Sequence, residues 1–278
     1  MKIFISADIE NVSDIVRPEQ VLLGGKDYSF GRTLMVKEVN AAIEGALAGG
    51  ASEVVVCDAH SHQFNLLPEL LHSKALLVSG NFKPVSSMLE GLDSGFAGVF
   101  LVGYHARAGF QKGVLNHTYF AKEVQHIKIN GEKVGELGIN AALAGYYRVP
   151  VCLVTGDQAV SEEAKALLPN AETVTVKKSV GKYSAICLHP EAAREQIKSA
   201  AQKAVAGIKT KSVFNLPQET YFEIDFSDTA MADMAELIPN VERIGEREVK
   251  FGGNDYLDTY KLFRACLYLA SAAYNRDY

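Results

Sequence analysis

Carboxylate and imidazole side chains follow four of the apolar runs in this 278-residue sequence. The residues at these positions are Asp8 with Glu10, His60, His105 and Glu136. Side chains alternate along a strand, so Asp8 and Glu10, two positions apart, point to the same side. Two acids held that close favour a cation. Because ligands of open α/β sheets gather outside the carboxyl ends of the strands, the pattern indicates a metal-dependent enzyme.

Histidines supply the other half of the expected site. Asp58 and His60 repeat the two-residue spacing, and we expect Asp58 to orient His60, because metal-bound histidines usually donate their second ring proton to a carboxylate or carbonyl. A surface or loop-capping role is the alternative for His60 taken alone. His105 follows a third apolar run, and a glycine-containing loop leads from it to His117. We expect the remaining histidines to be solvated or capping: His62, His72, His126 and His189.

Glu136 has two interpretations. As the first residue of a predicted helix it could serve only the helix dipole, which is worth at most about 1 kcal/mol. The flanking Gly135 and Gly138 permit close backbone approach, and this favours a buried site instead.

The ligand types narrow the choice of metal. Imidazoles mixed with carboxylates, without cysteine, suit zinc, or manganese, iron or cobalt, better than calcium or magnesium. Five such groups exceed what one catalytic zinc normally takes from protein. If Asp8, on the strand expected to be most central, is shared, five side chains can hold two ions about 3.5–4 Å apart.

Composition and charge exclude several classes of protein. The sequence is 48% hydrophobic and 22% charged, as in ordinary globular proteins, and its net charge of -5 makes nucleic acid a poor partner. It opens with the first predicted strand, shows no secretory signal pattern and has no apolar run of membrane-spanning length, so we expect a cytoplasmic protein with no membrane partner. The four scattered cysteines favour neither disulfides nor a zinc knuckle.

The predicted elements place these residues on an α/β fold. Up to about His189, short apolar runs alternate with helical patterns, which indicates a mainly parallel sheet flanked by helices. We expect an α/β metal-binding catalytic domain over residues 1–207, and a smaller α+β lobe over residues 208–278 packed on it. The predicted strands are Ile3–Asp8, Glu53–Asp58, Ala75–Ser79, Gly98–Gly103, Val124–Ile129, Val151–Thr155, Thr173–Val176, Tyr221–Phe226 and Glu246–Phe251. The predicted helices are Thr33–Ala48, Ser86–Gly91, Glu136–Tyr146, Ser161–Leu168, Glu191–Ala206, Ala230–Leu237 and Asp255–Ala273.

Several motifs together resemble the D-aminopeptidase DppA family of zinc metallopeptidases. They occur in the family's order over roughly the first 160 residues, and include Asp8-Ile9-Glu10, Asp58-Ala59-His60-Ser61, Gly103-Tyr104-His105-Ala106-Arg107, Gly113-Val114-Leu115-Asn116-His117 and Gly135-Glu136-Leu137-Gly138-Ile139-Asn140. The resemblance implies two zinc ions bound by Asp8, Glu10, His60, His105 and Glu136, with His117 as a catalytic residue near them. It also implies hydrolysis, by a metal-activated water, of short peptides with an amino-terminal D-residue such as D-alanine. Family members form ring-shaped homo-oligomers, so the resemblance implies a ring here, with a decamer as a candidate size.

One departure and several alternatives remain open. Asn11 stands where the family commonly has glycine, and the loop of residues 12–25 differs, which bears on substrate preference. The same scaffold could host another metallohydrolase, acting on an L-peptide, a cyclic amide or a phosphoester. A phosphoesterase would need cations at the site, for which only Arg107 and, less clearly, Lys83 are near in sequence. A metal- or peptide-binding protein without turnover is the alternative outside enzymes. The native metal, the peptide length and the ring size are not specified by these motifs.

Overall fold

The computed structural model of the chain describes residues 1–215 and 217–274. The strands are β1 Lys2–Ala7, β2 Glu53–Asp58, β3 Ala75–Val78, β4 Gly98–Tyr104, β5 Val124–Ile129, β6 Glu132–Val134, β7 Val151–Asp157, β8 Glu172–Gly181, β9 Ser184–Cys187, β10 Thr220–Phe226, β11 Glu242–Arg243 and β12 Glu248–Gly253. The α-helices are α1 Tyr28–Ala48, α2 Glu136–Tyr146, α3 Gln158–Leu167, α4 Pro190–Ala206, α5 Thr229–Glu236 and α6 Tyr256–Ala272.

Sheet A has the strand order β3-β2-β1-β4-β7-β8-β9. All neighbouring pairs are parallel except β8 with β9, so the carboxyl ends of β1, β2 and β4 lie at one edge. The middle strand is β4, not β1 as expected, and β1 is its neighbour. Apolar side chains cover both faces of these strands: Ile3 and Ile5 pack towards α1 and α4, whereas Phe4 packs on the opposite side. The predicted mainly parallel sheet flanked by helices is confirmed.

Sheet B is antiparallel, with the order β11-β12-β10-β5-β6. One face of β10 bears Phe222, Ile224 and Phe226, which are fully buried and pack with α5 and α6 in the same hydrophobic core as Phe4. Because β5 and β6 belong to this sheet, the residues after 217 share it with residues 124–134. A domain division at residue 207 stays a prediction.

Element predictions need correction at Ser86–Gly91 and in the bounds of α1, α3, β8 and β12. Ser86–Gly91 forms only a single 3₁₀ turn over Ser87–Leu89, because the positive φ of Ser87 (49°) interrupts a right-handed helical path. Helix α1 begins at Tyr28 rather than Thr33, since its first turn packs against the loop after β1, where Gly31 lies against the Gln20 carbonyl. None of the helices within the described residues combines the length and hydrophobicity of a bilayer-spanning segment.

Candidate metal centre

Three carboxylates and three imidazoles meet at the carboxyl edge of sheet A. Asp8 and Glu10 follow β1, His60 follows β2, His105 follows β4, and Glu136 is the first residue of α2. All five are buried, each with at most 6% of its surface exposed. The fold therefore brings every predicted ligand into one cluster, with His117 beside it.

The ligand atoms form two groups that share Asp8. In the first, His60 Nδ1 lies 3.2 Å from Asp8 Oδ1 and 3.0 Å from Glu10 Oε2. In the second, His105 Nε2 lies 3.6 Å from Asp8 Oδ2 and 3.3 Å from Glu136 Oε2. Within each group the ligand atoms are within 4.8 Å of one another, so each could hold one ion. The two oxygens of Asp8 face different groups, which is the arrangement that a bridging carboxylate needs.

Backbone carbonyls orient the imidazole rings of His60 and His105. His60 Nε2 donates to the Val21 carbonyl (2.9 Å), and His105 Nδ1 donates to the Ala106 carbonyl (3.0 Å). A carbonyl can only accept, so in each ring the nitrogen that faces away from the acids carries a proton. This is how metal-bound histidines are usually held.

Asp58 does not orient His60, and that prediction is wrong. Its oxygens accept hydrogen bonds from the Asn65 side chain (2.7 Å) and the Leu66 amide (2.6 Å), which hold the loop after β2. The two-residue spacing led to the wrong partner, because it also places an acid where it can accept hydrogen bonds from the turn that follows the strand. The orienting groups, Val21 and Ala106, act through their backbones and leave no side-chain signal in the sequence.

Two buried ligand atoms have no hydrogen-bond partner within the described residues: Glu10 Oε2 and His105 Nε2. Burial and the neighbouring charge of Glu10 raise the pKa of Asp8 to about 8. Burial also raises the pKa of Glu10, but the charges of His60, His117 and His105 outweigh it and bring that pKa well below its usual range. Three buried acids and two buried imidazoles, with two of their ligand atoms lacking a hydrogen-bond partner among the described residues, fit a divalent cation of the kind that accepts mixed N and O ligands.

His117 stands slightly apart from the two groups. Its Nδ1 donates to the Leu115 carbonyl (2.9 Å), whereas its Nε2 lies 3.9 Å from Glu10 Oε1 and 4.0 Å from Glu136 Oε1, beyond hydrogen-bond distance. Burial and the adjacent His105 lower its pKa below the usual range. A nitrogen that faces the site without a hydrogen bond is free to exchange a proton with a bound molecule. His117 can also be grouped with Glu10 and His105 as a ligand, so geometry alone leaves both roles open.

Lys177 fixes the loop that presents Glu10. Its buried ammonium group donates to the carbonyls of Glu10 (2.8 Å), Val12 (3.0 Å) and Ile15. Burial lowers its pKa to about 8. No sequence motif singled out Lys177, although it directly follows the apolar run Thr173–Val176, as the proposed ligands follow other apolar runs.

A cavity of about 530 Å³ opens onto the cluster. Asp8, Glu10, His60, His117 and Glu136 line its inner end. The cavity also reaches residues of α6, on the sheet B side of the molecule, among them Arg264 and Tyr268.

The two cations proposed for a phosphoesterase are occupied elsewhere. Arg107 Nε lies 3.4 Å from Glu163 Oε1, and buried Lys83 donates to Cys57 Sγ (3.3 Å) and to the Asp58 carbonyl. Neither lines the cavity. The structure therefore gives no support to phosphate binding by these two side chains.

The other histidines lie outside the cluster. His189 caps α4 by accepting from the Glu191 amide (3.3 Å), as predicted, while His62 lines the cavity. His126 lies in a group with Asp225 and Glu248 on neighbouring strands of sheet B, where Arg247 Nη2 is 3.4 Å from Asp225. Cross-strand charge pairing accounts for this second group.

Comparisons with known proteins agree with the geometry. A family model described as peptidase family M55, D-aminopeptidase, matches residues 1–265. A D-aminopeptidase of Bacillus subtilis (strain 168) is 38% identical over 262 residues, 94% of each chain. The solved structure of the Zn-dependent D-aminopeptidase DppA from Bacillus subtilis, a self-compartmentalizing protease, matches with a TM-score of 0.94 and 37% identity over 98% of each chain. The resemblance inferred from the motifs is confirmed, and the chain belongs to the D-aminopeptidase family, peptidase family M55.

Proposed function

We propose that this protein is a zinc-dependent aminopeptidase that hydrolyses short peptides with an amino-terminal D-residue of the D-alanine type. Family membership supports a peptide hydrolase, and the 37% identical DppA structure is that of a Zn-dependent enzyme. The observation on which the proposal chiefly rests is the pair of ligand groups joined by Asp8.

The two groups would hold two ions. Asp8, Glu10 and His60 would bind one, and Asp8, His105 and Glu136 the other. Zinc, when bound, supplies a Lewis acid that polarises a carbonyl oxygen and makes water nucleophilic near neutral pH. Glu136 is further held by the Tyr119 amide, which donates to its Oε1 at 2.6 Å and leaves Oε2 directed at His105.

His117 is proposed as the catalytic residue. Its Nδ1 proton is held by the Leu115 carbonyl, so proton exchange with the substrate takes place at Nε2, which faces the site. The protonated ring can donate there to the developing oxyanion or to the leaving amine, and a positioned acid of this kind typically contributes about 10²–10⁴-fold.

The fold around the site limits access of water and substrate. The cavity encloses the cluster within apolar side chains such as Val21, Met88 and Leu115, so only a small or extended molecule reaches the ligands. A volume of about 530 Å³ is in the range of small-molecule sites and suits a short peptide.

A homo-oligomer is also proposed, because the solved relative is a self-compartmentalizing protease. Light scattering on the purified chain tests this: a single species of several subunits supports it, and a monomer at assay concentration contradicts it. The ring shape, the decamer and the cytoplasmic location stay predictions from the sequence.

The direct test of the catalytic proposal is cleavage of a D-alanyl dipeptide before chelation, after chelation and after zinc is restored. Loss and recovery of activity support the proposal. Activity that a strong chelator leaves unchanged contradicts it.

A further inference from the structure

We propose that Arg264 forms a carboxylate-binding subsite that recognises the C-terminal carboxylate of a short peptide substrate. This inference rests on the proposed function. It adds that the end of the cavity away from the metal cluster recognises the C-terminus of the substrate. The metal cluster is acidic, whereas this end of the cavity presents a buried cation.

Arg264 is a buried cation with unused hydrogen-bonding capacity. It lies on α6, is 9% exposed and lines the cavity. Its Nη2 donates to the Tyr268 hydroxyl, and its guanidinium carbon lies 4.9 Å from the centre of the Tyr268 ring. Its Nη1 is buried and has no hydrogen-bond partner within residues 1–215 and 217–274. Burying a charge without a charged partner is costly, so this arrangement favours an anionic ligand.

The other cations of the cavity do not share these properties. Lys122 and Lys182 also line it, but both are exposed. An exposed cation contributes little to the affinity of a bound anion, because water and salt screen it. A planar guanidinium held out of water can instead bind a carboxylate through two parallel hydrogen bonds.

Tyr119 connects the metal end of the cavity to the Arg264 end. Its amide donates to Glu136 (2.6 Å), and its hydroxyl lies 3.1 Å from the hydroxyl of Tyr260. Tyr260 precedes Arg264 by one helical turn, on the same face of α6. One tyrosine therefore spans the interval between a proposed metal ligand and the neighbour of the cation. Extended residues span roughly 3.3–3.6 Å each, so a peptide with its scissile bond at the metals and two residues after that bond can place its carboxylate roughly 7 Å away, towards Arg264.

The test compares ligands that differ only in this carboxylate. The zinc-loaded chain is titrated calorimetrically with a D-Ala-Ala-Ala analogue whose first peptide bond is replaced by a CH₂–NH group, as the free acid and as the C-terminal amide. The ratio of kcat/KM for the corresponding cleavable acid and amide is measured in parallel. The variants are Arg264→Gln, Arg264→Lys and, as the matched control, Lys182→Gln at the exposed side of the cavity.

We expect the unmodified protein to bind the acid about 10- to 100-fold more tightly than the amide, since a hydrogen-bonded charge is worth that much. Arg264→Gln should lower the affinity for the acid to that for the amide, without changing the affinity for the amide. Arg264→Lys should keep part of the preference and shows that the loss does not come from misfolding. Lys182→Gln should leave the ratio unchanged.

Other outcomes overturn the subsite. These are equal binding of acid and amide by the unmodified protein, a preference that survives Arg264→Gln, or an equal loss for both ligands. A D-Ala-Ala-Glu amide that gains as much affinity from Arg264 as the free acid does would indicate recognition of an acidic side chain and contradict recognition of the C-terminus. If the chain cleaves no D-alanyl peptide but binds the acid analogue through Arg264, the subsite stands and the proposed function fails. If the unmodified protein and the Arg264→Gln variant both cleave the acid and the amide equally well, the proposed function stands and the subsite fails.

Discussion

The imidazole rings of His105 and His117 are stacked, with their centres 4.0 Å apart and 15° between their planes. The two rings nevertheless have different surroundings. His105 directs Nε2 at Asp8 and Glu136, at 3.6 and 3.3 Å, whereas His117 keeps Nε2 at least 3.9 Å from any carboxylate oxygen of the cluster. Stacking therefore holds the proposed catalytic ring against the proposed ligand without giving it the same role.

This difference predicts separate effects on metal content and activity. His117→Ala should retain the metal while kcat falls about 10²–10⁴-fold, because it removes only proton transfer. Asp8→Ala should lose both ions, because both ligand groups contain Asp8. Metal per subunit, measured by elemental analysis after gel filtration, distinguishes the two. The control is His62→Ala, which alters a histidine that lines the cavity outside the cluster. A His117→Ala protein without metal would contradict the assignment.

Lys177 should control metal affinity without contacting the metal. Lys177→Met removes three hydrogen bonds to the backbone of the loop that presents Glu10, and such supporting changes typically cost about 10- to 100-fold in affinity. Competition with a chromophoric zinc chelator measures the effect. Lys178→Met is the matched control, since the adjacent side chain is exposed. Equal zinc affinity in both variants would show that the loop holds its shape without Lys177.

Buried Glu38 should make stability depend on pH. Burial raises its pKa from 4.5 to about 7, although the Ser13 amide donates to it at 2.8 Å. Above pH 4.5 the unfolded chain has lost this proton while the folded chain keeps it, so unfolding releases a proton. The free energy of unfolding therefore decreases as pH rises from 4.5 to about 7 and then levels off, by about 3 kcal/mol in total.

Glu38→Gln cannot ionise and should lack this contribution. Relative to the unmodified protein, its free energy of unfolding should increase between about pH 4.5 and pH 8, as measured by urea denaturation. Glu44→Gln, an exposed change on the same helix, should show no such trend. A constant difference between the Glu38 variant and the unmodified protein across this range would refute the assignment.

Sequence patterns located the candidate site because its ligands follow strands. Parallel strands align their carboxyl ends, so Asp8, His60 and His105 converge whatever the details of the loops, and the helix start at Glu136 completes the cluster. The same logic predicted the mainly parallel sheet. It could not predict that β5 and β6 lie outside sheet A, in an antiparallel sheet with β10. Pairing between strands that are distant along the chain leaves no local signal in the sequence.

The residues that sequence reasoning missed act through long-range contacts. Arg264 lies on an amphipathic helix where an arginine ordinarily marks the solvent side, and only the packing of α6 turns it towards the cavity. Tyr119 and Lys177 bond to groups 17 and more than 160 residues away, respectively. Asp58 was misassigned for the complementary reason, since its spacing suited a ligand partner while its loop supplied nearer donors.

Zinc-dependent D-specificity is tested most simply by the rates of hydrolysis of D-Ala-Ala and L-Ala-Ala by the zinc-loaded chain, with an Asp8→Ala protein prepared in the same way as the control. We expect cleavage of the D-substrate alone, abolished by chelation and absent from the variant. Preferential cleavage of the L-substrate would be consistent with a metallopeptidase but would contradict D-specificity. Cleavage by the Asp8→Ala protein at the rate of the unmodified protein would contradict the proposed metal site.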